Sequence, residues 1–458
     1  MTRTHSSNIV LNRLLLLMVG GVLLLGAMGC SPKLMRAPVM FDRTTADPFA
    51  TLPTPRRNTQ STIFYATDRD AHQVKGETVY NRGRAPALVL GKVGVTVGEN
   101  LTWGHLIQNT LGSTKHKRPV VHFDPPKPFG LLLTTAPPRV IQETLSGQGD
   151  DGPNTIHTRF VPRTDPGRGA FRFAKALNAE MDATAHQEIY VYVHGYYNTF
   201  DNAIETAANL HHYNGRHGAV IAFAWPSQKH LWDYAQDRES ATYAVTDLRD
   251  LLIFLADHTE AQKIHIIAHS MGTFLTSNTL REMRLIGYTE TPEALRERFR
   301  LGDIVLVAPD IDVDVLQKRF FREGFEQVAE RLTMYVSPDD QALNWATRLL
   351  FGIVRAGSVT GNYLTKVQRL WLKAHPNVAM IDISGQKTYG IGHSHHTQNP
   401  GVASDLLLLL AHHQSPAQRG LSYVAETGVW TFPKHYTQRV KAIAQEAYPE
   451  REKAAARE

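Results

Sequence analysis

The amino-acid sequence predicts an α/β protein, with a mainly parallel, doubly wound sheet and a β-rich N-terminal extension. From about residue 165, short apolar runs rich in β-branched residues alternate with longer amphipathic stretches, which is typical of a parallel sheet. These apolar runs are continuous, as strands buried on both faces require. The predicted strands are 189–193, 219–224, 263–268, 303–308, 331–336 and 378–383.

Helices are predicted between these strands, where apolar residues recur at helical spacing. A further apolar stretch, 344–375, is interpreted as a cap beside the functional site. Two roles remain open for it, the binding of an acyl chain and plain core packing. The predicted helices are 171–183, 200–212, 233–259 and 273–286.

Composition suggests how the rest of the chain is divided. A Gly/Asp-rich loop at 146–154 marks the end of a β-rich region, because such residues favour turns. The C-terminal region is polar and suggests a solvated helix. The predicted divisions are a β-rich subdomain at 61–155 with strands near 61–70, 87–97 and 131–135, an α/β domain at 156–414, and a polar extension at 415–458.

The first thirty residues resemble an export signal. Two arginines precede an uncharged, Leu-rich stretch, 14–28, that is short for a membrane span. Cys30 follows a small residue, as in a bacterial lipobox, and is the only cysteine, so no intramolecular disulfide can form. We expect a lipoprotein signal peptide at 1–29, a lipidated Cys30 and a tether at 30–60, or alternatively an uncleaved anchor helix. Ser31 after the cysteine favours a Gram-negative outer membrane, with the protein facing the periplasm.

The net charge of the 458-residue chain is +6, and the isoelectric point is about 9.2. The positive charge is spread thinly, with no dense Lys/Arg run in the body of the chain. This distribution is typical of a solvated surface and does not indicate nucleic-acid binding.

The most informative segment runs from Ile264 to Gly272, where an apolar strand leads into Ala-His-Ser-Met-Gly. Composition alone would give such a small-x-Ser-x-Gly match in roughly one chain in three, so the flanking elements must decide its meaning. A strand before it and a helix after it predict a nucleophile elbow, with Ser270 as the nucleophile of an α/β-hydrolase fold. His269 is interpreted as a packing residue.

A nucleophilic serine needs a base and an acid, which on this fold follow it in the order Ser, acid, His. Asp340 follows the strand ending at residue 336, and His393 follows the strand ending at residue 383. Sites of open α/β sheets form at such strand ends. The predicted triad is therefore Ser270, Asp340 and His393. Alternatives stay open: Asp310 or Asp339 as the acid, and His395 or His396 as the base.

Stabilisation of the oxyanion requires two N–H donors. One is expected to be the amide of Met271, directly after the nucleophile. The other is expected to be the amide of Tyr196, in the His-Gly-Tyr loop after the strand at 189–193. The histidines at 393–396 lack a paired Cys or carboxylate at ligand spacing, so they predict no metal site, and no cofactor is expected.

Several separate blocks resemble the DUF900 family, an α/β-hydrolase family of bacterial proteins that are often exported. The resemblance spans roughly residues 61 to 410. It implies the α/β-hydrolase fold and an esterase- or lipase-like triad at Ser270, Asp340 and His393. The blocks, in order, are Phe64 to Arg69, Val193 to Asn198, Phe223 to Ser227, Ala268 to Gly272, Ala308 to Asp312 and Asp340 to Leu343.

These features favour a membrane-anchored serine hydrolase acting on small or lipid-like carboxylic esters. An amidase or peptidase uses the same triad chemistry and remains possible. A second class is a catalytically silent envelope lipoprotein that uses the fold for binding, because fold alone does not fix function.

Overall fold

The computed structural model shows one central sheet with helices packed on both of its faces. Within the part of the chain that the structure describes, the sheet has twelve strands, and a separate two-stranded hairpin lies outside it. The structure describes residues 32–111, 118–135, 139–145, 155–161, 165–228, 233–340, 343, 354–359, 364–386 and 398–451.

The middle of the sheet consists of eight mutually parallel strands, and antiparallel strands extend it at both ends. The strand order is β13-β14-β12-β11-β10-β9-β7-β8-β1-β2-β3, and β4 also pairs with β2. The strands are β1 Gln60–Val74, β2 Glu77–Val97, β3 Val121–Phe123, β4 Lys127–Leu132, β5 Arg139–Leu145, β6 Thr155–Val161, β7 Glu188–Val193, β8 Ala219–Phe223, β9 Lys263–His269, β10 Leu301–Val307, β11 Ala329–Val336, β12 Val378–Asp382, β13 Ser422–Val424 and β14 Val429–Thr431.

Helices cover both faces because the strands are apolar on both faces. In β7, Ile189 and Val191 point into one core, and Tyr190 and Tyr192 point into the other. The main helices are α1 Trp103–Leu111, α2 Gly167–Thr184, α3 Phe200–Tyr213, α4 Tyr234–Tyr243, α5 Val245–His258, α6 Met271–Ile286, α7 Pro292–Phe299, α8 Lys366–Ala374, α9 Pro400–His412 and α10 Tyr436–Ala447. Helices α2, α4, α5, α6 and α7 line the first core, and α1, α3, α9 and α10 line the second.

The strands predicted in the α/β domain are all present, and so are the helices that separate them. The helix predicted at 233–259 is two helices, α4 and α5, which meet at Ala244. The strand predicted at 131–135 lies earlier, in β4. The β5–β6 hairpin was not predicted, because its residues flank the Gly/Asp-rich loop. Among the described residues, no helix has the length and apolarity to cross a membrane.

Two segments that sequence composition suggested were peripheral are packed into the second core. In the predicted tether, Leu34, Phe41 and Phe49 are each at most 2% exposed. In the predicted polar extension, β14 pairs with β12, and α10 buries Val440 against the core. Residues 32–60 and the described part of 415–458 therefore belong to the folded domain. The buried apolar side chains of residues 32–60 show no regular period, whereas in α10 Tyr436, Val440 and Ala444 recur every four residues and form one buried face.

Candidate active site

The turn between β9 and α6 has the backbone of a nucleophile elbow. Ser270 is 3% exposed and has φ 53° and ψ −125°, a left-handed region that non-glycine residues avoid. Its N–H donates to the carbonyl of Val307 at 2.9 Å. Its side chain makes no capping hydrogen bond to α6, so the hydroxyl is not used to start the helix.

Two glycines let other backbone segments approach this turn. A Cβ on Gly272 would lie 2.4 Å from the carbonyl oxygen of His194 and 2.7 Å from that of Val193. A Cβ on Gly195 would lie 2.7 Å from the Cβ of Ser270. All three distances are shorter than any side chain tolerates. The elbow and the loop after β7 are therefore in direct backbone contact, which brings the Tyr196 segment to the nucleophile.

The loop after β7 is held by hydrogen bonds to its own carbonyls. The side-chain amide of Asn198 donates to the carbonyls of Gly195 and Tyr196 at 3.1 and 3.0 Å. The guanidinium of Arg69, which is 1% exposed, donates to the carbonyl of Asn198 at 2.9 Å. These bonds occupy carbonyl groups of the loop, and the N–H of Asn198 donates to Oγ of Ser227 at 3.3 Å, so the conformation of the loop is fixed by bonds on both sides of its backbone. The sequence analysis missed Arg69 as a support, although it lies in a block that the analysis had singled out.

His194 supports the same loop through contacts with backbone carbonyls. Its two ring nitrogens lie 2.8 Å from the carbonyl oxygen of Gly195 and 3.0 Å from that of Trp225, and its ring stacks on Trp225. Burial, with Arg69 nearby, lowers the pKa of His194 to about 3. Because His194 is fully buried and backbone carbonyls face both of its ring nitrogens, it is a scaffold group and not the general base. His269, predicted to be scaffold, is 5% exposed and lies against Gly195.

Asp310, an alternative for the acid, is fully engaged in a structural network. The hydroxyl of Tyr234 donates to its two carboxylate oxygens at 2.9 and 2.7 Å, and Arg355 pairs with it at 3.2 Å. Its N–H donates to Oγ1 of Thr273 at 3.2 Å, and Arg238 donates to its carbonyl. Asp310 thus ties the loop after β10 to α4 and α6.

The two carboxyl groups after β11 have different surroundings. Asp340 is fully buried, and its Oδ1 accepts the N–H of Leu343 at 3.0 Å. Asp339 is exposed, and its Oδ2 accepts the N–H of Gly385, in the turn after β12, at 3.1 Å. Only Asp340 has the burial expected of an acid that orients a histidine.

The three candidate bases, His393, His395 and His396, lie outside the described residues, and so does the predicted lipidation site, Cys30. Of the predicted site residues, the structure brings the elbow and the Tyr196 loop together, with the Met271 amide at the first position of α6. It places Asp340 two strands away, at the same edge of the sheet.

An apolar cavity of about 760 Å³ lies between α8, the ends of β11 and β12, and helical turns at 313–322. Val336 and Ala356 form part of its wall. Val336 leads directly into the segment that carries Asp340, and the N–H of Ala356 donates to the carbonyl of Ile311, beside Asp310. The cavity therefore adjoins both acid-bearing loops. It was not predicted in detail, although the apolar stretch 344–375 pointed to this region.

Comparison with known proteins identifies one family. The model of the family described as an alpha/beta hydrolase of unknown function (DUF900) matches residues 170–410. An uncharacterized protein, alr1448, of Nostoc sp. is 25% identical over 147 residues, which cover 27% of this chain and 38% of that protein. The matched part of the chain thus spans well under half of this relative.

Proposed function

Because the chain belongs to the DUF900 family of α/β hydrolases, we propose that it is a serine hydrolase that cleaves carboxylic esters through an acyl-enzyme on Ser270. The observation that carries the proposal is the strained backbone of Ser270, on a turn whose side chain does not cap the following helix. A serine serving only as a cap has extended backbone and bonds to the helix amides. Strain of this kind is stored at functional sites.

In the proposed reaction, Oγ of Ser270 attacks the ester carbonyl carbon while His393 accepts its proton. The amides of Met271 and Tyr196 stabilise the tetrahedral oxyanion, which is worth a few kcal/mol per donor. The C–O bond then breaks, and His393 returns the proton to the departing alcohol. Water repeats the sequence on the acyl-enzyme and releases the acid. Asp340 orients the imidazole throughout.

The choice of Asp340 as the acid rests on its burial and on what the other candidates do. Asp310 already holds Tyr234 and Arg355, and Asp339 is exposed. Among the bases, His393 remains the first choice over His395 and His396, because it follows Gly392 directly in the sequence, two residues after Gly390.

The substrate class proposed is an ester with a long, apolar acyl chain. The cavity beside the acid-bearing loops is lined mainly by apolar side chains, among them Leu316, Met380 and Leu372. Burial of a methylene group in such a space contributes about 0.8 kcal/mol. Several methylene groups would therefore make long chains preferred substrates over short ones.

Hydrolysis of p-nitrophenyl esters from acetate to palmitate tests both parts of the proposal. We expect activity that rises with chain length and disappears in Ser270→Ala. Leu372→Trp, which fills the cavity, should shift the preference toward short chains. Leu370→Trp on the same helix is the control, because Leu370 is 57% exposed and outside the cavity lining.

The outcomes separate the competing functions. Turnover of amides but not of esters would indicate an amidase. Activity that Ser270→Ala retains would contradict the proposed nucleophile. No turnover of any acyl substrate would favour a binding protein of the cell envelope.

We also propose that the mature chain is anchored through a lipidated Cys30 to the outer membrane, facing the periplasm. The sequence around Cys30 supports this, since a small residue and an apolar stretch precede the only cysteine. Palmitate labelling of the wild-type chain, lost in Cys30→Ala, is the expected result. Labelling that persists without Cys30 would contradict the anchor.

A further inference from the structure

A cluster of charged and imidazole groups lies at the edge of the sheet opposite to Ser270. Glu188 begins β7, and His265 and Asp303 are the third residues of β9 and β10. His413 directly follows α9. His265 precedes Ser270 by five residues on one strand, which is roughly 16 Å at ~3.3 Å per residue. The cluster is thus remote from the proposed reaction.

Three groups in this cluster converge at distances suited to a shared ion. Oε1 of Glu188 lies 3.1 Å from Nε2 of His413, and Oε2 lies 3.8 Å from Nε2 of His265. One ligand atom from each residue lies within 4.8 Å of the others. Tetrahedral zinc, with bonds of about 2.0–2.1 Å, places its ligand atoms about 3.3 Å apart. The observed spacings lie on either side of that value.

The carboxylate of Asp303 lies next to Nδ1, the second ring nitrogen, of both imidazoles. Its Oδ2 is 2.8 Å from Nδ1 of His413 and 3.2 Å from Nδ1 of His265. Arg331 fixes this carboxylate with a bidentate pair, at 2.6 and 3.1 Å. A carboxylate on the far nitrogen is the usual outer partner of a metal-bound histidine. Both Nε2 atoms are left on the side of Glu188.

A second observation concerns the buried imidazole of His265. His265 is 1% exposed, and its Nε2 has no hydrogen-bond partner among the described residues. A buried polar atom without a partner costs free energy. The backbone N–H of Asp303 also donates to Nδ1 of His265, at 3.0 Å. With an ion bound at Nε2, the ring proton of His265 would be on Nδ1. Nδ1 would then no longer accept from the Asp303 N–H and would donate to the Asp303 carboxylate instead.

We propose that Glu188, His265 and His413 form a structural site for a divalent transition metal ion of the zinc class, with Asp303 positioning both histidines. Asp303 and Glu188 both contact the imidazole of His413 and raise its pKa to about 9, so a bound cation would take the place of the His413 proton between the two carboxylates. The side chain of His413 is 36% exposed, which provides a path of entry and room for a water as the fourth ligand. The ion would join β7 and β9 to the end of α9.

Titration of the chelator-treated full chain with Co²⁺, and separately with Zn²⁺, tests this site. We expect one equivalent to bind tightly, with the visible absorption of tetrahedral Co²⁺, and the thermal unfolding midpoint to rise. Glu188→Gln keeps the shape of the side chain and should weaken binding at least 100-fold without loss of fold. His413→Ala should do the same.

To exclude binding of the added ion by the histidines at 393–396, a double variant, His395→Ala with His396→Ala, is the matched control and should retain the tight equivalent. Binding that this double variant abolishes, or that Glu188→Gln leaves unchanged, would overturn the proposal. So would the absence of a tight equivalent. In each of these cases the cluster is a hydrogen-bonded ion-pair network only.

Discussion

At its C-terminal edge the sheet carries Ser270 on a strained turn, whereas at its N-terminal edge the same strand, β9, carries His265 among paired charges. The first edge is shaped by backbone contacts at Gly195 and Gly272. The second is shaped by ion pairs, in which Arg331 and His413 satisfy Asp303. At the first edge the strained backbone keeps the Ser270 hydroxyl available to a substrate. At the second edge the polar side chains bind one another and so contribute to stability. Substitutions at the two edges should therefore change different properties.

The largest effect at the C-terminal edge is expected from the acid of the triad. Asp340→Asn should lower kcat about 10⁴-fold, because the histidine then loses its orientation and tautomer. Asp339→Asn is the control and should stay near wild type, since Asp339 is exposed. Asp310→Asn should lower the free energy of unfolding and leave kcat much less affected than Asp340→Asn does, because it weakens the bonds of this side chain to Tyr234 and Arg355. Steady-state kinetics with urea unfolding separate these outcomes, and a larger loss of kcat in Asp310→Asn would reassign the acid.

The second largest effect on kcat is expected when an added Cβ crowds the elbow. Gly195→Ala should lower kcat by about 10²–10³, the range for loss of one oxyanion donor, because the new Cβ pushes the Tyr196 loop away from Ser270. Gly104→Ala is the matched control, since a Cβ there meets nothing within 4 Å. Circular dichroism would check that both variants fold. Unchanged kinetics in Gly195→Ala would argue against the Tyr196 amide as a donor.

At the N-terminal edge, Asp303→Asn should lower the free energy of unfolding by about 3 kcal/mol, because it removes the buried carboxylate that Arg331 and His413 both contact, and hydrogen bonds to charged groups contribute about 1.5–3 kcal/mol each. The kcat of the folded protein should stay within about twofold of wild type, since the cluster is remote from the proposed chemistry. Glu330→Gln, which breaks the exposed pair with Lys263 at this edge, should cost under about 1 kcal/mol. Urea unfolding with a chelator present measures both. A large loss of kcat would show that the edges are coupled.

A smaller, pH-dependent effect is expected from two buried carboxyl groups, Asp68 after the parallel part of β1 and Asp247 in the first turn of α5. Burial raises the pKa of both; the negative charge of Asp68 further raises the pKa of Asp247, whereas the hydrogen bond from Asp247 partly lowers the pKa of Asp68. The folded protein therefore keeps a proton that unfolded aspartates release, and stability falls as pH rises from about 5 to 8.

Asp247→Asn should remove about 1–2 kcal/mol of this decline, since an amide donates to Asp68 without a titrating proton. The control is Asp257→Asn, at an exposed position of the same helix, which should keep the wild-type slope. Urea unfolding at pH 5 and pH 8 gives the comparison. An unchanged slope in Asp247→Asn would place the proton elsewhere.

The elbow could be predicted from sequence because its requirements are local: an apolar strand, small residues at two fixed positions and a helix. The positions of the parallel strands along the chain followed from the same local periodicity. The choice between Asp310 and Asp340 could not be predicted as firmly, because it depends on Tyr234 and Arg355, which are distant in sequence from Asp310.

The N-terminal and C-terminal segments were misjudged for a related reason. Phe41 and Phe49 are buried in the second core without a periodic pattern of their own, and the buried face of α10 consists of only three residues, Tyr436, Val440 and Ala444, in a mostly polar segment. The cluster of Glu188, His265, Asp303 and His413 was invisible for the same reason, since its members are spread over 226 positions of sequence (413 − 188 + 1). Only the parallel register of β7, β9 and β10 places three of them side by side.

The central claim is that Ser270 is an activated nucleophile, and covalent labelling tests it most directly. The folded protein, from residue 32 onward, would be treated with a fluorophosphonate and the adduct located by mass spectrometry of its peptides. We predict one adduct, on Ser270, that is absent from Ser270→Ala and from protein unfolded before treatment. An unmodified Ser270 in the folded, treated protein would contradict the claim.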